Sequence, residues 1–389
     1  MNFLSTGFKG KNNWWMYLIM IAVVFTGMFI GQIPITVVAL AEVNGDLQRF
    51  TESGEKNFTD LGIDSNLYLL LMLLGFIIAF LLFIIVLKGM HKKKLTWVIT
   101  SREKIDWKRI GFGILVWGII SIGSMSIDLI LSPENYEWNF KPEKFLVLCT
   151  VALLCIPIQT TLEEVLFRGY YMQALAISTT KKQFGFILVY ILLCMSLHMY
   201  YTNNLQLDVF THFLMIFGYG ILLLILSYSK ILHHLTHLNF ANAMYLLLKR
   251  NIVPLVLTSL LFGLMHIGNP EIDKLGYTLL VFYIGSGFLF GVVTLLDDGA
   301  ELAIGMHAIN NMTAALFITT NWTVFQTDAL YVDISEPSLS FEMFLPMIIL
   351  YPLTVLILSK KYHWSSWKEK LFGEVKVPNK NDVIHELGT

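Results

Sequence analysis

Long apolar runs, broken by short polar stretches, set the pattern of this chain. About ten of them read as membrane spans: residues 14–41, 67–87, 110–131, 145–158, 184–199, 209–227, 252–267, 277–296, 302–319 and 341–358. A helix rises about 1.5 Å per residue, so roughly 20 apolar residues cross the hydrocarbon core of a bilayer. The pattern predicts an all-α fold, a polytopic transmembrane helical bundle. The fourth run leads directly into Thr160-Thr161-Leu162-Glu163-Glu164-Val165-Leu166-Phe167-Arg168-Gly169-Tyr170, where three ionisable groups fall within six residues. At mid-membrane each such group costs roughly 2.5–3.5 kcal/mol, against a gain of about 0.3–0.6 kcal/mol per Leu, Ile, Phe or Val. Charge placed there defaults to a functional-site hypothesis.

On a helix, Glu164 and Arg168 are four apart and share a face, so each reduces the desolvation cost of the other. Glu163 points roughly 100° away from Glu164. One carboxylate is neutralised and the other is left for chemistry. The plainer alternative is a salt-bridged pair at a helix end near the headgroups, with Glu163 reaching water.

Composition agrees with a membrane protein: 389 residues, 56% hydrophobic and only 14% charged, with a mean hydropathy of +0.64. A net charge of −1 gives no argument for nucleic acid. Cys149, Cys155 and Cys194 lie in apolar runs without metal-ligand spacing and read as buried, inert thiols. With both termini cytoplasmic, the inside segments take Lys9 and Lys11, the basic block from Lys88 to Arg109, Lys181, Lys182, Lys230, Lys249, Arg250, and the lysines from Lys360 to Lys380. The outside loops keep Arg49, Lys56, Lys141, Lys144 and Lys274. The positive-inside rule favours this arrangement, and with it an even number of spans. Trp14, Trp15, Trp107, Trp138, Trp322 and Trp364 lie near span ends as interfacial anchors.

The first run ends in Ala39-Leu40-Ala41, a pattern like a signal-peptidase site, but it is too long for a signal h-region and reads as a first membrane helix with a kink point at Pro34. The chain divides into N-terminal helices with a basic loop (1–144), a core (145–320) with an inserted segment near 199–250, and a last loop, helix and basic tail (321–389). The tail from 360 to 376 reads either as a helix on the inner membrane surface or as solvated chain. His233 and His237 are four apart, a spacing that suits a metal but more often marks a polar helix face.

Two further apolar runs carry polar residues. His266 ends the run that contains Phe262, one turn before it. His307 and Asn311 share one face of another. Either segment alone reads as interhelical hydrogen bonding. With Glu163 they form a hydrolytic set, because Glu and His hold and deprotonate a water while His and Asn donate to an oxyanion. No Ser or Cys occupies a comparable polar setting, which argues against an acyl-enzyme. His-Glu-x-x-His is absent, which argues against a standard zincin.

In that order, Glu163-Glu164-x-x-x-Arg168, Phe262-x-x-x-His266 and His307-x-x-x-Asn311 resemble the three motifs of the CPBP intramembrane proteases, the CAAX prenyl endopeptidases and bacteriocin-immunity (Abi) proteins among them. The resemblance covers roughly residues 145–319. It implies an endopeptidase with a cavity opening to the cytoplasmic side, acting on a peptide or membrane-protein substrate in the bilayer, with a protein partner possible. Glu163 and His266 would activate water, His307 and Asn311 would stabilise the oxyanion, and Glu164 and Arg168 would hold the helix. A mechanism without a cofactor is what it favours; if a zinc is bound, Glu163, His266 and His307 are its ligands. One departure is the inserted segment, which makes Cys194-x-x-x-His198 a rival second motif. The alternative function is a catalytically silent regulator or scaffold of the same fold, and a transporter with Glu163 as proton relay has less support. A lysine-rich, arginine-poor chain points to a bacterial cell membrane.

Overall fold

A computed structural model describes residues 2–54, 58–204, 209–228, 230–339 and 341–379. Lys56 and Lys380, counted in the charge pattern above, lie outside the described residues. Ten helices of 13 residues or more follow one another among the described residues: α1 Trp14–Glu42, α2 Ser65–Gly89, α3 Trp107–Leu131, α4 Pro142–Thr179, α5 Phe184–Asn204, α6 Val209–Tyr228, α7 Ile252–Leu264, α8 Leu280–Asp297, α9 Glu301–Leu316 and α10 Leu345–Tyr362. Local signals start several of them. Asp64 accepts hydrogen bonds from the amides of Asn66 and Leu67 ahead of α2, and Asp106 from those of Lys108 and Arg109 ahead of α3. Pro142 opens α4, where its missing N–H is harmless.

The all-α membrane bundle is present, but its count of spans is not the expected one. Among the described residues six helices are long and apolar enough to cross a membrane: α1, α2, α3, α4, most of α5, and 277–297, which contains α8. The other expected spans are weaker for identifiable reasons. α7 stops at Leu264 after 13 residues, about 20 Å at 1.5 Å per residue against a hydrocarbon core of roughly 30 Å. In α6 the apolar stretch runs only from Leu214 to Ser227. α9 has 16 residues interrupted by His307, Asn310 and Asn311, and α10 ends on Lys360 and Lys361.

One end of the bundle gathers the basic segments. The Phe3 amide donates to Asp298, Lys93 Nζ donates to the Gly7 carbonyl at 2.7 Å, and the Asn251 amide donates to the Gly373 carbonyl at 2.9 Å. Arg102 bridges Asp297 and Glu301 at 3.1 Å each, Arg109 also meets Asp297, and Lys370 meets Asp298 at 2.6 Å. The tail forms a short helix, Trp367–Phe372, whose Trp367 and Leu371 pack with Phe3 and Leu4. At the opposite end a small sheet appears that the sequence pattern did not suggest. Its strands are β1 Tyr136–Trp138, β2 Ile318–Thr319 and β3 Tyr331–Asp333. β3 lies between the others, antiparallel to β1 (Glu137 opposite Val332) and parallel to β2 (Thr319 opposite Val332). Lys144 and Lys141 pair with Asp64 and Asp328 beside it, at 3.3 and 3.5 Å. The three cysteines are free, with Cys155 buried and the other two half-buried.

Close helix crossings bring the motif-bearing segments together. α3 and α9 touch at Gly305, where a Cβ would overlap the Ile110 carbonyl oxygen. α1 and α2 likewise meet through Gly31 and Gly75, small residues that allow backbone-to-backbone contact. Val165, Leu166, Phe167 and Tyr170 pack with Phe83, Val98, Ile99, Phe262 and Ile304 in one buried cluster. Gly305→Leu is expected to lower the thermal midpoint of the detergent-solubilised protein, since overpacking costs about 1–3 kcal/mol. Gly111→Leu, at a position with open space around it, serves as the matched control and should leave the midpoint unchanged.

Candidate active site

Within α4 the ladder loosens from Val165 to Tyr171 into a π-helical stretch, directly after the two glutamates. Such turns insert a residue into an α-helix and are frequent at functional sites. Glu164 and Arg168 are 0% and 1% exposed, and Arg168 Nε lies 3.2 Å from Glu164 Oε2. The guanidinium also faces two rings, with Cζ 4.1 Å from the centre of Phe262 and 5.5 Å from that of Phe290. An ion pair and two aromatic faces together replace the water that both groups have lost.

The second oxygen of Glu164 does separate work. His307, 5% exposed on α9, donates from Nδ1 to Glu164 Oε1 at 2.7 Å. A carboxylate paired with Arg168 accepts only, so this contact assigns the imidazole proton to Nδ1 and leaves a lone pair on Nε2. That nitrogen lies 3.6 Å from Glu163 Oε2. The His307 ring is held between Phe290, stacked at 5.3 Å, and the edge of Phe262.

A second chain of hydrogen bonds reaches Glu163 from the other side. Trp117 Nε1 donates to Asn310 Oδ1 at 3.0 Å, Asn310 Nδ2 to Asn311 Oδ1 at 3.1 Å, Asn311 Nδ2 to Gln159 Oε1 at 3.1 Å, and Gln159 Nε2 to Glu163 Oε1 at 2.6 Å. It begins on a group that only donates and ends on one that accepts, which orients every amide between them. The two chains occupy Glu163 Oε1 and His307 Nδ1, and leave the acceptors Glu163 Oε2 and His307 Nε2 facing each other. A donor with two hydrogens, placed to one side of the pair, can reach both.

His266 comes from beyond the end of α7. Its Nδ1 donates to the Phe262 carbonyl at 2.7 Å and its ring stacks on Tyr283, with centroids 4.1 Å apart. The Tyr283 hydroxyl donates to Glu271 Oε1, and Glu271 Oε2 accepts the Val324 amide at 3.1 Å. His266 is thus tied to the loop between β2 and β3. Glu163, His266, His307 and Asn311 all line one cavity of about 480 Å³. At the sheet end of the bundle it is lined by Asp128, Tyr136, Thr320, Thr323 and Asp333.

The six residues singled out in the sequence therefore gather around one cavity, with Glu164 and Arg168 buried behind it. Within that set the close histidine neighbour of Glu163 is His307. His198, the rival to His266, instead approaches His212 at 3.2 Å and is not among the cavity's lining residues. His233 and His237 approach at 3.4 Å on an exposed turn. Among the described residues no three His, Cys, Asp or Glu side chains are close enough to hold one metal ion, so the zinc set of Glu163, His266 and His307 does not fit as arranged. Gln159, Asn310, Trp117 and Tyr283 are participants that sequence reasoning missed. Gln159 had a signal, because it is a polar residue in an apolar run four positions before Glu163.

Comparison with known proteins follows this geometry. Residues 142–238 and 231–313 match the family described as Type II CAAX prenyl endopeptidase Rce1-like. The matched residues contain all three motifs, and the two segments overlap inside the stretch read as an insertion. The sequence is also similar to the uncharacterized protein YyaK of Bacillus subtilis, 24% identical over 335 residues that make up 84% of this chain and 85% of that protein. No solved structure gives a significant match.

The two glutamates are expected to separate in stability measurements. Glu164→Gln removes the ionic partner of a buried guanidinium and should cost about 3–5 kcal/mol, read as a large drop in thermal midpoint in detergent. Glu163→Gln keeps an acceptor for Gln159 and should leave the midpoint close to that of the wild type.

Proposed function

We propose that this chain, which is similar to the Rce1-like family over residues 142–313, is an intramembrane endopeptidase of the CPBP type. Its substrate is a peptide bond in a membrane-associated protein or peptide. The observation that carries this reading is the facing pair of Glu163 Oε2 and His307 Nε2, 3.6 Å apart in the cavity wall, each held by its own hydrogen-bond chain.

A water lying against both acceptors from one side donates one hydrogen to each. Glu163 takes a proton as the water oxygen attacks the scissile carbonyl carbon, and the carbonyl oxygen becomes an oxyanion. Asn311 spends one Nδ2 hydrogen on Gln159, so its other is available to that oxyanion. The proton on Glu163 then passes to the leaving amine as the C–N bond breaks. His266, with its proton on Nδ1, offers Nε2 to an N–H of the substrate and so orients the peptide. In this assignment His307 holds water; the motif resemblance had placed it with the oxyanion donors. Arg168 and Glu164 are positioning residues that set the tautomer of His307. The mechanism is written without a metal because the donor set does not converge on one.

The proposal extends to placement. The chain passes between its two ends along α1 to α10, both ends of the described chain lie at the basic end, and that end faces the cytoplasm of a bacterial cell.

Comparison of protein termini in cells carrying wild type or Glu163→Ala at matched expression tests the activity. New termini should appear with wild type alone, since loss of the base slows hydrolysis at least about 10²-fold. Identical termini together with full rescue of a deletion phenotype by Glu163→Ala would move the protein to the silent scaffold reading. Dialysis of the purified protein against a strong chelator should leave cleavage of an identified substrate unchanged; loss of activity that zinc restores would overturn the metal-free mechanism.

A further inference from the structure

The π-helical stretch of α4, Val165 to Tyr171, is anchored through polar side chains on two sides. On one side Glu164 and Arg168 meet each other and His307. On the other, among residues that do not line the cavity, Tyr170 meets His91, two positions past the end of α2. The Tyr170 hydroxyl lies 2.6 Å from His91 Nε2, and the two residues are 1% and 0% exposed. His91 Nδ1 lies 2.9 Å from the Lys11 carbonyl oxygen, which only accepts, so the imidazole proton is on Nδ1. Burial holds this histidine below its usual pKa and keeps it neutral, which leaves a lone pair on Nε2 and makes Tyr170 the donor. Lys11 returns the bond, its amide donating to the His91 carbonyl at 2.7 Å.

Gln173, three residues on, is a second anchor on the same side. Its Nε2 donates to Thr6 Oγ1 and to the Trp97 carbonyl, each at 2.8 Å. Two glycines let the segments close in: a Cβ on Gly7 would overlap Gln173 Cβ, and one on Gly169 would overlap the Val98 carbonyl oxygen. Tyr17 of α1 completes the group, its ring 5.0 Å from that of His91 and 5.2 Å from that of Tyr170, with its hydroxyl donating to Asn12 Oδ1. The partners that α4 finds here all lie outside the residues matched to the Rce1-like family.

A π turn holds one residue more than the α-helix it interrupts. Were the stretch to re-form as plain α-helix, everything after it would turn by about 100° and shift by about 1.5 Å relative to the two glutamates. Tyr170 and Gln173 could not then keep His91 and Thr6 while Glu164 keeps His307. We infer that Tyr170 and His91 are positioning residues for the proposed reaction: with the segment from Phe3 to Asn12 they clamp α4 behind its π turn and fix the rotation at which Glu163 and Glu164 face His307. Neither touches the reacting atoms. The link to a reaction rests on the peptidase reading; the clamp on α4 does not.

Hydrogen exchange of the full-length protein in detergent, read by mass spectrometry on peptides covering 160–175, tests the clamp without any substrate. His91→Asn keeps a donor for the Lys11 carbonyl and loses the acceptor for Tyr170, whereas His91→Gln reaches the position of Nε2 and keeps an acceptor there. His91→Asn and Tyr170→Phe should each speed exchange across 165–171 about tenfold, the factor for losing one buried hydrogen bond, with peptides of α3 unchanged. His91→Gln should stay within about threefold of wild type, and the double variant of His91→Asn with Tyr170→Phe should exchange no faster than either single one. Wild-type rates in both single variants, equally faster exchange along the whole chain, or effects that multiply in the double variant would each overturn the inference. Turnover of a substrate identified from the comparison of termini gives an independent readout. His91→Asn and Tyr170→Phe should lower kcat about tenfold at unchanged KM, since a displaced catalytic group costs turnover and not binding. Full kcat in both variants defeats the positioning role and leaves the peptidase reading in place. If wild type produces no new termini, the peptidase reading fails and the exchange rates still decide the clamp.

Discussion

The buried pair of Glu164 and Arg168 is the interaction on which the rest of the site depends. Two opposite charges, both under 2% exposed, are stable in this interior only as a pair, and their placement therefore sets the rotation of α4. With Arg168 against one carboxylate oxygen, the other holds His307 in a single tautomer, and the lone pair that results points toward Glu163. A charged pair that never meets substrate decides what the neighbouring glutamate faces. The aromatic faces of Phe262 and Phe290 serve both partners of this arrangement, lying against the guanidinium and against the imidazole.

Placement of His307 also requires α9 to lie close to α3 and α4. Gly305 permits the first approach, since any side chain there would meet the backbone of α3. The polar residues of α9 make the second specific, because Asn311 bonds to Gln159 of α4 and Asn310 to Trp117 of α3. Apolar surface gives little preference for one partner over another inside a bilayer, so hydrogen bonds and close packing choose the neighbours.

The loop between β2 and β3 connects the sheet end of the cavity to His266. Glu271 ties the Val324 amide to Tyr283, and Tyr283 carries His266 on its face. Through this route a change in the loop is felt at an imidazole in the site. The small sheet supports the loop from outside the bundle, with β3 pairing on both of its edges.

Much of the fold class and of the site could be read from the chain itself. Polar and charged residues stand out in apolar runs because their desolvation is costly, which is how Glu163, Glu164, Arg168, His266, His307 and Asn311 were found. The i, i+4 pairing of Glu164 and Arg168 was also legible, since a helix places such residues on one face. Gln159 satisfied the same criterion and went unnoticed, whereas Trp117 and Tyr283 had no such signal, being aromatic residues in apolar segments. Strands of two or three residues, as in the sheet, are too short to show a period. What only the tertiary structure decided was which histidine meets Glu163, how many of the described helices are long enough to span, and which side chains complete the cavity. These depend on contacts between residues over a hundred positions apart, such as Glu164 with His307, and a one-dimensional pattern carries no information on how helices rotate and cross to make them.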